Sequence, residues 1–182
     1  MIKEGICLVL MLLMVDGLPV GVKRYRMTLV SFSQTNVSGV FDTSKVRLIG
    51  RERLANGTVI LNEDMDDEHW SLSGQLSVDS FGDGHYKLLP FYIPITPMCQ
   101  AFKKYRQYFS HHAEYGTQTD FPAHMDVCPV PKGSYYMKNV GLRGDDYPTL
   151  MQRGYYQANG TFYYDGQDVG TYTINALLED DE

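Results

Sequence analysis

Cysteine is scarce, tryptophan scarcer, and positive charge is in deficit: the 182 residues hold three Cys, one Trp, and 16 Lys and Arg against 22 Asp and Glu. Each shortage excludes something. A formal net charge of −6 with no basic cluster lacks the electrostatic footprint of a nucleic-acid binder or of a protein drawn to anionic lipid. There is no His-Glu-x-x-His or His-x-x-x-His spacing, no Gly-x-Ser-x-Gly elbow and no glycine-rich phosphate loop. The sequence therefore predicts no enzyme, no metal and no cofactor. It also lacks repeats, linkers and low-complexity segments, so one domain is expected.

Long apolar runs are missing too, with one exception. Ile6–Val15 follows Lys3 and precedes Asp16 and Gly17, the layout of a secretory signal, and it is shorter than the about 17 to 25 residues of a membrane-spanning helix. Residues 1–17 are read as a signal peptide and 18–182 as the mature domain, secreted and extracellular. Asn36-Val-Ser, Asn56-Gly-Thr and Asn159-Gly-Thr are acceptor sequons that fit this route. Cys7 departs with the signal and leaves Cys99 and Cys128 as an even pair in an oxidising compartment, where a disulfide is expected. A reactive thiol would need a neighbouring base and a reducing location. Closing the chain over 99–128 contributes about 3 to 4 kcal/mol in the chain-entropy picture.

What the sequence has in quantity is short alternating segments. Tyr25, Met27 and Leu29 alternate with Arg26 and Thr28. Trp70, Leu72, Leu76 and Val78 alternate with Ser71, Ser73, Gln75 and Ser77, with Gly74 in the apolar register. Tyr172, Ile174, Ala176 and Leu178 form a third such row. Further strands are expected over 85–89, 135–142 and 155–164, with turns at Gly82-Asp-Gly84 and Asp165-Gly166. Asn56-Gly57, between two apolar runs, predicts a type I′ hairpin. One helix stands out. Thr96 is a good N-cap and Pro97 a good first residue, and Met98, Phe102, Tyr105 and Phe109 share a face. The polar stretch 110–127 reads as a mobile loop. Seven or eight short strands with regular turns imply an all-β sandwich with one short helix packed against it.

Cys128-Pro-Val-Pro-Lys-Gly-Ser-Tyr-Tyr-Met-Lys-Asn-Val140 organises the C-terminal half: two prolines hold the chain extended, Gly133 permits a sharp turn, and a strand follows. This Cys-Pro-x-x-Lys-Gly-x-Tyr-Tyr-x-Lys-Asn pattern resembles the insect family of small secreted proteins that includes the chemosensory protein B group. That family is distantly similar to the ganglioside activator protein and to lipid-recognition (ML) domains. The likeness runs from about Leu89 to the C-terminus. It implies an immunoglobulin-like, ML-type topology with splayed sheets and a role in chemosensation or pheromone response.

Three constellations could carry chemistry. His111, His112, Glu114, His124 and Asp126 crowd one loop, but without ligand spacing they read as a solvated segment. Asp64, Asp66, Asp67 and Glu68 lack the glycine and spacing of a calcium loop and read as a charged turn. The third is the aromatic load, 14 Tyr and 8 Phe, most of which a sandwich core would absorb. If the sheets are splayed, the inward registers predict an apolar pocket lined by Met27, Leu29, Trp70, Leu72, Leu76, Tyr172 and Ile174, with Met98, Phe102 and Tyr105 of the helix at its mouth. The expected partner is then a hydrophobic small molecule, a lipid, fatty acid or cuticular hydrocarbon, delivered to a membrane receptor or other extracellular protein. A 14-carbon chain brings roughly 11 kcal/mol gross at about 0.8 per methylene, enough for micromolar binding after association costs. The alternative is a protein-interaction module with a solid core and Tyr135, Tyr136, Tyr155 and Tyr156 as an adhesive surface patch.

Overall fold

The computed structural model describes residues 25–35, 39, 41–108, 112–122, 126–144, 147–148 and 150–181. The segment 1–17 expected to be a signal peptide, Asn36, Phe109, His111 and His124 lie outside them. The strands are β1 (Tyr25–Thr35), β2 (Phe41–Asp42), β3 (Arg47–Ile49), β4 (Leu54–Leu61), β5 (Trp70–Asp79), β6 (Lys87–Pro97), β7 (Gly133–Val140), β8 (Gly154–Tyr164) and β9 (Gln167–Asp180). The helix α1 is Met98–Tyr105, continued by one 3₁₀ turn at Arg106–Tyr108. All strand pairings are antiparallel. One sheet runs β1-β9-β8-β5-β6, and the other joins β2, β3 and β7 to β4. The chain is thus the all-β, two-sheet sandwich with one short helix that its period-two segments imply.

The buried faces of the sheets meet in three clusters rather than one continuous core. At the helix end, Leu61, Met65, Trp70, Met98 and Val130 pack together; at the opposite end Tyr25, Val78, Tyr156, Ala176 and Leu178 do so. Leu29, Val46, Ala55 and Val140 form a third cluster between the sheets. Trp70 and Val78 stand at the two ends of β5, so this strand closes both ends of the sandwich. Asp165 and Gly166 both take positive φ, at 48° and 76°, and make the expected tight β8–β9 turn.

Asn56-Gly57 is not a turn. Both residues lie inside β4, at a bulge in its pairing with β7, and the chain reverses earlier, where the Arg53 N–H donates to the Gly50 carbonyl at 3.2 Å. Gly57 has φ +137°, and a Cβ there would collide with the Lys45 carbonyl oxygen. The permissive backbone is used for close approach, not reversal. Gly57→Ala is expected to destabilise the protein by at least about 1 to 3 kcal/mol, the cost of the backbone conformation alone. Thermal unfolding beside the wild type checks it, and an unchanged midpoint would refute this account of the bulge.

Two further departures have local causes. β6 runs straight through Pro90 and Pro94, which an edge strand tolerates because its outer N–H groups need no partner. Thr96 does not cap α1: it belongs to β6, and its hydroxyl donates to the Pro94 carbonyl at 2.6 Å. The cap comes from Asp67, whose Oδ1 accepts from the backbone N–H groups of Cys99 at 2.7 Å and Gln100 at 3.3 Å.

Two carboxylates tie loop ends and set a pH dependence. Asp79, buried on β5, accepts from the N–H groups of Phe81, Gly82, Asp83 and Gly84. Burial pushes its pKa up, but the four donors outweigh burial and hold it below the ordinary 3.8. His69, just before β5, bonds Asp165 in the β8–β9 turn at 2.9 Å, which raises the imidazole pKa above 6.5. A raised folded pKa contributes stability that is complete below the unfolded value and lost as pH rises through the folded one. A depressed carboxylate contributes above its unfolded value and loses its effect as pH falls. The melting temperature should therefore fall from pH 6 towards 8 more steeply in the wild type than in Asp165→Asn; parallel curves would contradict the assignment.

Candidate functional site

The site begins with the bracing of α1. Cys99 in its first turn is bonded to Cys128, with 5.8 Å between Cα atoms, as the cysteine count predicts. The acidic run beside this bridge acts as a backbone staple. Asp64 accepts from the Lys132 N–H at 2.6 Å, Asp66 from Glu68 and His69, and Asp67 from the helix. Between them, fully buried Met65 pairs with Val130 through two backbone hydrogen bonds of 2.8 Å. The peptide bond between Cys128 and Pro129 is cis, and β7 starts at Gly133. Helix, corner and strand are thereby fixed relative to each other.

Between the braced helix and the far cluster, the sheets part around an apolar cavity of about 390 Å3. β1 and β9 contribute Leu29 and Ile174, β4 contributes Ala55 and Val59, and β7 contributes Tyr135, Met137 and Val140. Phe102 of α1 and the segments carrying His112, Ala113, Thr119, Phe121, Gly141 and Leu142 complete the lining. A second lobe of about 180 Å3 adjoins it, sharing Leu29, Ala55, Val59, Met137 and Ile174 and adding Phe32, Thr43, Val46, Tyr172 and Thr173. Ile174 shares the inward face of β9 with Ala176 and Leu178, which are 6% and 1% exposed, yet it remains 43% exposed. That surface opens into the cavity it lines. The cavity is half open to solvent, a cleft between the sheets and not a sealed void.

Aromatic contacts build the walls. Phe102, Phe121 and Tyr135 form an edge-to-face chain with centroids 5.8 and 5.1 Å apart, bridging α1 to β7. Phe41, Phe162 and Tyr172 make a second cluster at 5.1 to 5.5 Å. The Tyr172 hydroxyl donates to the Phe41 carbonyl at 2.7 Å; burial first, and Asp42 second, push its pKa far up, so the phenol stays neutral. Arg53 donates to the carbonyls of Leu29 and Val30, at the bulge in β1, and so fixes Leu29 against the chamber.

Of the residues that sequence periodicity assigns to a pocket, Leu29, Phe102, Tyr172 and Ile174 line the two lobes. Trp70 and Met98 belong to the helix-end cluster, with Leu72 packed against it; Met27 and Leu76 pack against the opposite one. Tyr105 lies on α1 outside both linings. Alternation identifies the inward face of a strand but not where two sheets separate. The wall from β4 and β7 escaped the sequence reading because Asn56-Gly57 resembled a turn, although Tyr135 and Met137 do alternate with Ser134, Tyr136 and Lys138.

Other candidates are dispersed. The proposed tyrosine patch does not assemble: Tyr135 lines the cavity, Tyr156 is 6% exposed in the core, and Tyr155 lies on another strand, 38% exposed. Described residues of the loop 112–122 are tied to the edge of β7, where the Lys138 N–H donates to the Gln118 carbonyl and the Tyr136 N–H to Asp120 Oδ1, both at 2.7 Å. His112 Nδ1 accepts from the Arg143 N–H at 3.0 Å and its Nε2 lies 3.2 Å from the Tyr147 hydroxyl, while Asp126 pairs with Arg106 at 2.6 Å. Among the described residues, the one group close enough to hold a cation is Asp67, Cys99 and Cys128, whose sulfurs are bonded to each other. Asn159 sits mid-strand on β8, accepting from the Thr173 hydroxyl. Asn56 is held in β4, where its Oδ1 accepts from the Asn139 N–H.

Residues 73–158, just under half of the chain, match a family described as Protein of unknown function (DUF1091). The matched stretch runs from mid β5 to mid β8 and includes α1, the disulfide and most of the cavity lining. No curated protein matches the chain. Among the described residues, no helix is long and apolar enough to cross a membrane.

Proposed function

We propose that this protein is a secreted, non-enzymatic carrier that holds one hydrophobic small molecule between its sheets. The observation that carries the reading is the apolar chamber of about 390 Å3, within the about 300 to 1,000 Å3 of ligand pockets. Its lining includes two titratable side chains, His112 and Tyr135, and both hydrogen-bond to the protein itself. The Cys128–Val140 pattern, similar to that of the insect chemosensory B group and more distantly to ML lipid-recognition domains, supports an ML-type fold. It also supports delivery of the ligand to a membrane receptor or other extracellular protein in chemosensation.

The test is titration with an environment-sensitive apolar fluorophore. Saturable binding of one probe per chain, displaced by long-chain lipids, is expected; only weak, non-saturating signal would reject the carrier. A second reading, an interaction module, is favoured by Leu88, Tyr92 and Ile95, 64 to 66% exposed along the edge strand β6. The same titration separates the two.

A further inference from the structure

Building on the carrier reading, we propose that the cavity takes an uncharged long-chain molecule, such as a hydrocarbon, an ester or a fatty alcohol, and discriminates against an ionised fatty acid. Size comes first. An apolar cavity of about 150 Å3 holds one benzene, roughly 25 Å3 per carbon, so the main chamber accommodates about 15 carbons and the smaller lobe about seven more. A single chain of that length occupies both.

Charge then decides the class. None of the residues lining either lobe is Lys, Arg, Asp or Glu. Lys45, Lys103, Lys138 and Arg143 adjoin lining residues in sequence but belong to neither lining, and Arg53, Arg106 and Arg26 are committed to the carbonyls of β1, to Asp126 and to Glu179. Of the polar lining groups, His112 is engaged with the Arg143 N–H and Tyr147, while the Thr119 hydroxyl accepts from the Phe121 N–H at 3.1 Å and keeps one proton to donate. A carboxylate drawn inside would lose its water and gain at most that one neutral donor.

A neutral head faces no such penalty.

The experiment is displacement of the bound fluorophore by hexadecanol, methyl hexadecanoate and hexadecanoate, each below its aggregation limit, at pH 8 and pH 5.5. The alcohol and the ester should displace at similar concentrations, and the carboxylate should need at least about 100-fold more at pH 8. Because an ordinary carboxyl group titrates near about 4.3, the gap should narrow by about tenfold per pH unit on acidification, as the acid enters protonated. Hexadecanoate matching the alcohol at pH 8 would overturn the charge selection and leave the carrier standing. Saturable fluorophore binding that none of the three displaces overturns the selection alone, and no saturable fluorophore binding overturns both.

Discussion

Replacing Cys99 and Cys128 together by serine is expected to lower the free energy of unfolding by about 3 to 4 kcal/mol, the chain entropy released when a loop of 29 residues is opened. For a domain of this size that corresponds to a melting temperature lower by roughly 6 to 16 °C. The variant should still fold, because Asp67 continues to cap α1, Met65 still pairs with Val130 and Asp64 still holds Lys132. Ligand affinity should fall with stability, since Phe102 lies within one helical turn of Cys99 and forms part of the cavity lining. Melts of wild type and variant under non-reducing conditions decide the matter. A loss below about 1 kcal/mol would mean that the bridge restrains the unfolded chain far less than its loop length implies.

The second large effect concerns binding with little change in stability. Ile174→Trp places an indole in space the isoleucine leaves empty, and filling a cavity is neutral or stabilising where the added volume fits. Its melting temperature should stay within about 4 °C of wild type, one kcal/mol for a domain of this length. Affinity for a C16 ester should drop by at least about 100-fold, equivalent to about 2.7 kcal/mol. Leu88→Ser, on exposed β6, is the control and should leave ligand affinity unchanged. If Ile174→Trp binds as wild type does, the ligand is not between the sheets.

Much of this arrangement was legible in the sequence because it depends on local periodicity. The alternation in Tyr25–Leu29, Trp70–Val78 and Tyr172–Leu178 needs only the pleat of a strand to assign an inward face, and the structure places these rows inward. The disulfide followed from counting, and the Asp165-Gly166 turn from two residues tolerant of positive φ. What stayed hidden depends on contacts between distant segments. The Lys45 carbonyl beside Gly57 turns an apparent hairpin signal into a bulge. Asp67, remote in sequence, caps α1 in place of Thr96. The cavity itself arises where β4 and β7 stand off from β1 and β9, and no strand's own pattern encodes its distance from the opposite sheet.

Asp79 shows the same limit in one side chain. By alternation it belongs with Ser71, Ser73, Gln75 and Ser77 on the polar face, yet it is 2% exposed. The loop of 80–84 wraps over it, and its carboxylate satisfies four backbone donors at once. The glycines at 82 and 84, both with positive φ, allow that wrap. They announce a turn in the sequence; the carboxylate at its centre becomes apparent only in three dimensions.

The measurement that bears most directly on a ligand held between the sheets is native mass spectrometry of the chain secreted from eukaryotic cells, delipidated and then supplied with methyl hexadecanoate. A single adduct per chain, saturating in the wild type and absent from Ile174→Trp, is the predicted result. No adduct at any concentration, or multiple adducts that Ile174→Trp leaves unchanged, would contradict it.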